Sequence, residues 1–165
     1  MTGVVATAET KRGTVLVVIV AWLLAGTLDI TAAIVYYVGP SSARIERLLQ
    51  GIASGVLGAR AFDGGATTAA LGLAFHYLIA LIWTLLFLAA FRMLGALRRH
   101  LVLLGIAYGI VVWFGMNVIV LPLSNAAVGA FRLRAAVIAA IILVLCVGLP
   151  ISLVLGRHMR AESAA

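Results

Sequence analysis

Four stretches of the chain consist almost entirely of apolar residues, and each is bounded by Arg, Lys, Gly or Pro. They cover about residues 14–38, 69–91, 101–123 and 135–156. A helix needs about 20 apolar residues to cross the hydrocarbon core of a bilayer, and all four stretches reach that length. Because charged residues, glycine and proline end an apolar helix, the pattern predicts four membrane-spanning helices.

The first stretch also resembles the start of a secretion signal. Lys11 and Arg12 precede the apolar run, as the basic residues of a signal peptide do. No small-x-small cleavage site follows, however, and the apolar run resumes after Asp29 and continues to Val38. We therefore expect a retained span rather than a cleaved signal.

The connection between the first two spans is unusually long. It covers about residues 39–68, whereas helix–helix connections usually have about 2–8 residues. Within residues 42–58, apolar side chains recur at the spacing of one helix face, and polar residues lie opposite. The apolar set is Ile45, Leu48, Leu49, Ile52, Ala53, Val56 and Leu57, and the polar set is Arg44, Glu46, Arg47, Gln50 and Ser54. This predicts an amphipathic helix that is too short and too charged to span, lying on the membrane surface or half-inserted among the spans.

The amino-acid composition indicates a membrane protein. Of its 165 residues, 65% are hydrophobic and 10% are charged, against about 45–50% and about 25% in a soluble domain. A soluble fold of this size could not cover so much apolar surface. We expect an all-α integral membrane protein, a four-helix bundle with one additional amphipathic helix, and a single domain over residues 1–165.

The charge balance bears on partners and orientation. The chain has 12 Lys+Arg and 5 Asp+Glu, a net charge of +7. In a soluble chain this excess would suggest nucleic-acid binding. Here the basic residues lie between the spans, so we expect the lipid bilayer as partner and no nucleic acid. Seven basic residues lie on the side of the termini and five on the other, which predicts both termini in the cytoplasm.

Three polar residues inside the spans are the candidate functional residues: Asp29, His76 and Asn117. An acidic side chain at the centre of a span costs about 2.5–3.5 kcal/mol on insertion scales, so it needs an explanation. All three residues are displaced from the span midpoints toward the same leaflet. They could form a hydrogen-bond network that holds the helices in register. Alternatively, Asp29 and His76 could exchange a proton while Asn117 orients one of them, or the three positions could be unrelated.

Small residues recur at helical spacing and predict where helices pack closely. They include Gly72 in the second span, Gly105 and Gly109 in the third, and Gly51 and Gly55 in the amphipathic helix. Pro122 and Pro150 each remove a helical hydrogen bond, so each is expected to kink or end its helix.

Few residues could carry out catalysis or hold a metal ion. Cys146 is the only cysteine and lies within an apolar run. The chain has no HExxH or GxSxG motif and no phosphate-binding glycine loop. We therefore expect no catalytic residue, no metal site and no cofactor, and a protein that is not an enzyme.

Part of the chain resembles a known family. Gly105, Gly109, Asn117 and the ending Leu121-Pro122-Leu123-Ser124 are similar to the matching span of the YagU-like bacterial inner-membrane proteins, and His76 opens a span as in that family. The similarity covers about a third of the chain. It implies a location in the bacterial inner membrane and a link to acid resistance. The sequence departs from the family at Asn117, near the position where a histidine is expected.

Two functions remain open from the sequence. The first is a structural or accessory inner-membrane protein in the cell envelope or in acid-stress physiology. The alternative is an oligomeric proton-coupled transporter or channel for a small solute that uses an intramembrane Asp–His pair. A chamber that reaches Asp29 favours transport, whereas a dry, close-packed seam favours the structural role.

Overall fold

The computed structural model is a bundle of four long helices with a shorter helix folded against one end. The structure describes residues 2–38, 41–93, 99–126 and 132–164, and these contain no strand. Helix α1 covers Thr2–Ala33 and continues as a π-helical turn over Ile34–Val38. Helix α2 covers Ser42–Leu57 and is followed by a 3₁₀ turn over Gly58–Asp63. Helix α3 covers Gly65–Met93. Helix α4 comprises Leu101–Phe114, the π-helical Gly115–Val120 and Leu121–Leu123, and α5 comprises Leu133–Leu143, the π-helical Val144–Gly148 and Leu149–Ala164.

All four expected spans are present as helices. The segments long and apolar enough to cross a membrane are Gly13–Val38, Gly65–Met93, Leu101–Leu123 and Leu133–Glu162. Large apolar side chains such as Leu16, Leu103 and Leu145 are exposed on the outside of the bundle, as a lipid environment requires. The all-α membrane bundle predicted by the apolar pattern is therefore confirmed.

The first and last helices meet at one end of the bundle. The Thr14 hydroxyl donates to the Glu162 carboxylate, 2.9 Å away, and Glu162 also pairs with His158 at 3.1 Å. We call this end the terminal side, and the opposite end, where α2 lies, the loop side. The start of α1 and the end of α5 thus lie on the same side.

The predicted amphipathic helix is present as α2, and it packs along the first turns of α3. The polar face expected from the sequence is not wholly outward, because Gln50 and Ser54 are buried. The Gln50 amide donates to the Gly65 carbonyl, 3.1 Å away, at the start of α3. The Thr68 hydroxyl of α3 donates to the Ala61 carbonyl of the 3₁₀ turn at 2.6 Å. These bonds join α2 and α3 into a hairpin, so α2 is inserted against the bundle rather than lying free on a surface.

Glycines set the closest helix contacts. A Cβ at Gly148 of α5 would overlap the Gly105 carbonyl oxygen and would lie 2.7 Å from the Gly109 nitrogen. A Cβ at Gly105 would in turn lie 2.9 Å from the Leu149 Cα. The backbones of α4 and α5 therefore touch along this seam, which only glycine permits.

The glycines of the hairpin differ from one another. A Cβ at Gly72 of α3 would overlap the Leu49 carbonyl of α2, so this glycine brings two backbones together. Gly51, in contrast, has nothing within 4 Å of such a Cβ, and Gly55 would make only an ordinary 3.7 Å contact with Ser124. The close packing expected at Gly51 and Gly55 is not formed, because both lie on a side of α2 that no helix backbone approaches.

Each of the three π-helical turns ends two residues before a proline. The turns end at Val38, Val120 and Gly148, and the prolines are residues 40, 122 and 150. A proline lacks an N–H, and its ring collides with the carbonyl four residues earlier. Widening the preceding turn by one residue moves that carbonyl away, which accounts for the π turns before Pro122 and Pro150.

The tightly packed core lies in the terminal-side half of the bundle. It contains Ala21, Ala25, Phe87, Phe91, Leu101, Leu104, Val112, Val147, Ile151 and Leu155. The buried Ser152 hydroxyl bridges α5 to α4 by donating to the Leu101 carbonyl, 2.7 Å away. The loop-side half is packed less completely and holds the cavities described below.

Candidate functional site

A cavity of about 250 Å³ lies within the loop-side half of the bundle. All four spans and α2 contribute to its wall. The wall is formed by Gly26, Asp29, Ala33, Tyr37, Ile52, His76, Ile79, Ala80, Trp83, Val112, Met116, Ala139, Ile142, Leu143 and Val147. We call this cavity the Asp29 chamber, because Asp29 is its one acidic residue.

Asp29 faces the chamber from α1. Gly26 and Ala33 line the chamber from the same helix face, at the helical spacing of three and four residues. Small side chains on this face leave space around the carboxylate. Within the described parts of the chain, no hydrogen bond is donated to the Asp29 carboxylate. The His76 imidazole lines the same chamber.

His76 is held in place by the backbone of α1. Its Nε2 lies 2.8 Å from the Gly26 carbonyl oxygen. A carbonyl only accepts hydrogen bonds, so Nε2 carries the hydrogen and donates it. In the neutral imidazole, Nδ1 is then an acceptor. Gly26 precedes Asp29 by three residues, so this bond brings His76 to the same face of α1 as Asp29.

Two further hydrogen bonds fix the seam between α1 and α3. The Trp22 indole donates to the Tyr77 carbonyl at 2.6 Å, and the Tyr77 hydroxyl lies 2.9 Å from the Thr27 hydroxyl. Sequence reasoning missed these contacts, although Trp22 shares a helix face with Gly26 and Asp29. The seam fixes the position of His76, which is the neighbour of Tyr77 in the chain.

Asn117 does not join Asp29 and His76. It is exposed, it does not line the chamber, and its amide donates to the Trp113 carbonyl of its own helix at 2.8 Å. The expected three-residue network is therefore reduced to two residues. Asn117 lies in the π turn that precedes Pro122, and the extra residue of that turn changes which side chains face the bundle. Met116 lines the chamber in its place.

A second cavity of about 440 Å³ lies between α2 and the loop-side end of α4. It shares Ile52, Ile79 and Met116 with the Asp29 chamber, so these three side chains separate the two cavities. The Arg47 guanidinium lines the second cavity and lies 4.9 Å from the centre of the Phe62 ring.

The described wall of the chamber holds few polar side chains. Within the described residues, no three His, Cys, Asp or Glu side chains lie together where they could hold a metal ion. The polar side chains of the wall are the Asp29 carboxylate, the His76 imidazole and the Tyr37 phenol, and most of the remaining wall residues are aliphatic. No protein family, curated protein or solved structure matches the chain.

Proposed function

We propose that the chain is a multi-pass protein of the bacterial inner membrane whose Asp29 chamber takes up a proton in exchange for a small solute. The observation that carries this proposal is the Asp29 carboxylate. It lies inside a membrane-spanning helix and borders a cavity, without a hydrogen-bond donor among the described residues. A carboxylate that served only to hold helices together would be expected to be fully hydrogen-bonded, because an unsatisfied polar group within a membrane is costly.

A second candidate is the structural or accessory role, and the hydrogen bonds of His76 and Trp22 favour it. Both bonds end on backbone carbonyls across the seam between α1 and α3, and they stabilise the bundle whether or not a proton moves. An envelope role under acid stress, which the family resemblance implies, is compatible with either candidate, because a site that binds protons responds to pH. The excess of basic residues on the terminal side supports cytoplasmic termini.

Transport requires a path beyond the chamber. The packed core around Phe87, Phe91 and Leu155 fills the terminal-side half of the bundle. A proton or solute therefore needs either a rearrangement of this core or a second copy of the chain. We propose that the chain forms a homo-oligomer, since four helices around a closed core leave little room for a complete path.

The test is proton flux into liposomes that contain the purified protein, an enclosed pH-sensitive dye and an enclosed mixture of small cationic, neutral and anionic solutes as exchange partners. Three forms are compared: wild type, Asp29→Asn, and the matched control Asp63→Asn, which removes an exposed carboxylate outside the spans. We expect a pH gradient to collapse equally fast with wild type and Asp63→Asn. Asp29→Asn should fall to the rate of protein-free liposomes. A wild type that is no faster than protein-free liposomes would support the structural role instead.

A further inference from the structure

The polar groups of the Asp29 chamber are suited to accept hydrogen bonds from a positively charged ligand. Asp29 supplies a carboxylate to which no described residue donates a hydrogen bond, and no Lys or Arg is among the described residues of the wall. The Nε2–H of His76 is already donated to Gly26, which leaves the acceptor Nδ1 on the neutral ring. We propose that the chamber binds a small organic ammonium ion with an apolar body, in competition with a proton. The proposal rests on the proposed function and specifies its solute.

The negative charge of the Asp29 carboxylate disfavours an anionic ligand. An anion would meet the Asp29 carboxylate, and the described wall residues include no Lys or Arg to offset the repulsion. An ammonium group would pair with that carboxylate in a site of low dielectric, where the attraction is strong. The aromatic ring of Trp83, which also lines the wall, offers a further favourable contact for a cation.

The remainder of the wall selects an apolar body of limited size. Ile79, Met116 and Leu143 are among the side chains that surround the space. A volume of about 250 Å³ lies just below the usual range of about 300–1,000 Å³ for ligand pockets. The chamber therefore suits one ring or a branched alkyl group with a single ammonium, and not a drug-sized molecule.

The chamber wall between α1 and α5 is compatible with entry from the lipid. It includes Ala33, Ala139 and Ile142, which are partly exposed. Two of the three are alanines, whose small side chains leave room for a ligand that partitions into the bilayer. The second cavity is a poorer entrance for a cation, because Arg47 lines it.

Competition with a proton follows from the titratable groups around the site. Asp29 and Tyr37 of α1 and His76 of α3 line the chamber, while the lining residues of α2, α4 and α5 carry no titratable side chain. The Cys146 thiol of α5 lies within electrostatic range of Asp29 but outside the wall. A bound ammonium and a bound proton both neutralise the same carboxylate, so one should displace the other.

The test uses the purified full chain in lipid nanodiscs and three probes of nearly equal size: benzylammonium, benzyl alcohol and benzoate. Calorimetric titration at neutral pH should show binding of benzylammonium to wild type and to Asp63→Asn. Benzyl alcohol, benzoate and the Asp29→Asn variant should each give binding that is at least about tenfold weaker. Acidification should weaken benzylammonium binding to wild type, and binding should release protons to a dye in weakly buffered solution.

The possible outcomes separate this inference from the proposed function. Equal binding of benzyl alcohol and benzylammonium overturns the assignment of a cation site. So does undiminished binding to an Asp29→Asn protein whose circular dichroism matches wild type. Benzylammonium binding without proton release supports the cation site but contradicts proton exchange. Proton flux in liposomes without benzylammonium binding overturns this inference and leaves the proposed function standing. If Asp29→Asn does not fold, the pH dependence of wild-type binding is the test. Benzylammonium binding that does not weaken on acidification then overturns the cation site.

Discussion

His76 donates its Nε2–H to the backbone carbonyl of Gly26, 2.8 Å away, and this bond brings the imidazole to the face of α1 that carries Asp29. The partner is a main-chain atom, so the position of the imidazole does not depend on the ionisation of the carboxylate. Gly26 also allows the seam to close, because a Cβ there would lie 2.9 Å from the Tyr77 ring. The backbone of α1 therefore positions the His76 imidazole, and the Asp29 carboxylate is not used as the acceptor for this hydrogen bond.

Replacing His76 should show how much its hydrogen bond to the Gly26 carbonyl stabilises the fold. His76→Phe removes the donor to the Gly26 carbonyl and should lower the free energy of unfolding by about 0.5–1.5 kcal/mol, the net value of one such hydrogen bond. His76→Gln keeps an N–H that can reach the same carbonyl but does not titrate, so it should lose less stability. Unfolding by denaturing detergent measures both. An equal loss in the two variants would show that the bond to Gly26 does not stabilise the fold.

Alanine substitutions should have opposite effects on stability at Gly148, in the seam between α4 and α5, and at Gly51 of α2. Gly148→Ala places a methyl group against the backbones of Gly105 and Gly109, so it should destabilise the protein by about 1–3 kcal/mol through overpacking. Gly51→Ala places the same methyl group in open space on a helix and should stabilise by up to about 1 kcal/mol. Thermal unfolding in one detergent compares them. A tolerated Gly148→Ala would contradict the close contact of α4 and α5.

The sequence predicts well what depends on long patterns. The four spans and α2 follow from apolar runs and from helical spacing, and their ends in the structure differ from the expected ends by at most six residues. Gly105 and Gly51 look alike in the sequence, because each belongs to a stripe of small residues. Only the tertiary structure shows that Gly105 meets another backbone while Gly51 does not. A stripe of small residues on one helix does not indicate whether a second helix packs against it.

The candidate site was predicted in part, for a physical reason. Asp29 and His76 stand out because ionisable groups are costly inside a membrane, and the structure places both at one chamber. Asn117 stands out in the same way, but its amide bonds to the carbonyl one turn back on its own helix. Such a bond within one helix competes with hydrogen bonds between helices. The spacing of residues in the sequence does not indicate which of the two bonds a side chain makes. The π turn that contains Asn117 further alters which residues face the bundle.

Asn125 should hold the end of α2 against α4. Its backbone N–H donates to the Gly55 carbonyl at 2.8 Å, and its side chain donates to the Val56 carbonyl at 3.0 Å. The last carbonyls of a helix have no partner within the helix, so these bonds satisfy two of them. Asn125→Ala removes the side-chain bond, and hydrogen exchange in the last turn of α2 should accelerate.

The matched control is Asn117→Ala, which removes an asparagine amide that donates to a carbonyl of its own helix, α4, and does not contact α2. Exchange in α2 should be unchanged in this variant. Mass spectrometry of peptides that cover residues 50–58 gives the measurement. Equal acceleration in both variants, or in neither, would show that the Asn125 side chain does not fix α2.

Pro122 should be the cause of the π turn in α4. The Leu121 N–H reaches the Met116 carbonyl, five residues back, where an α-helix would bond four residues back. Proline at position 122 offers no N–H to the Val118 carbonyl, and its ring excludes that carbonyl from the usual position. Pro122→Ala restores the missing N–H, so the turn over Gly115–Val120 should close to α-helical geometry.

This change should also alter the Asp29 chamber. Removing one residue from a turn rotates the residues before it by about 100° relative to those after it, and Met116 lines the chamber wall. Carbonyl chemical shifts of isotopically labelled protein report the hydrogen-bond pattern of residues 115–120. Leu121→Ala is the matched control, because it changes a neighbouring side chain and keeps the proline, and its π turn should persist. A π turn that survives in Pro122→Ala would mean that packing against α2 and α5, and not the proline, determines the shape of this wall.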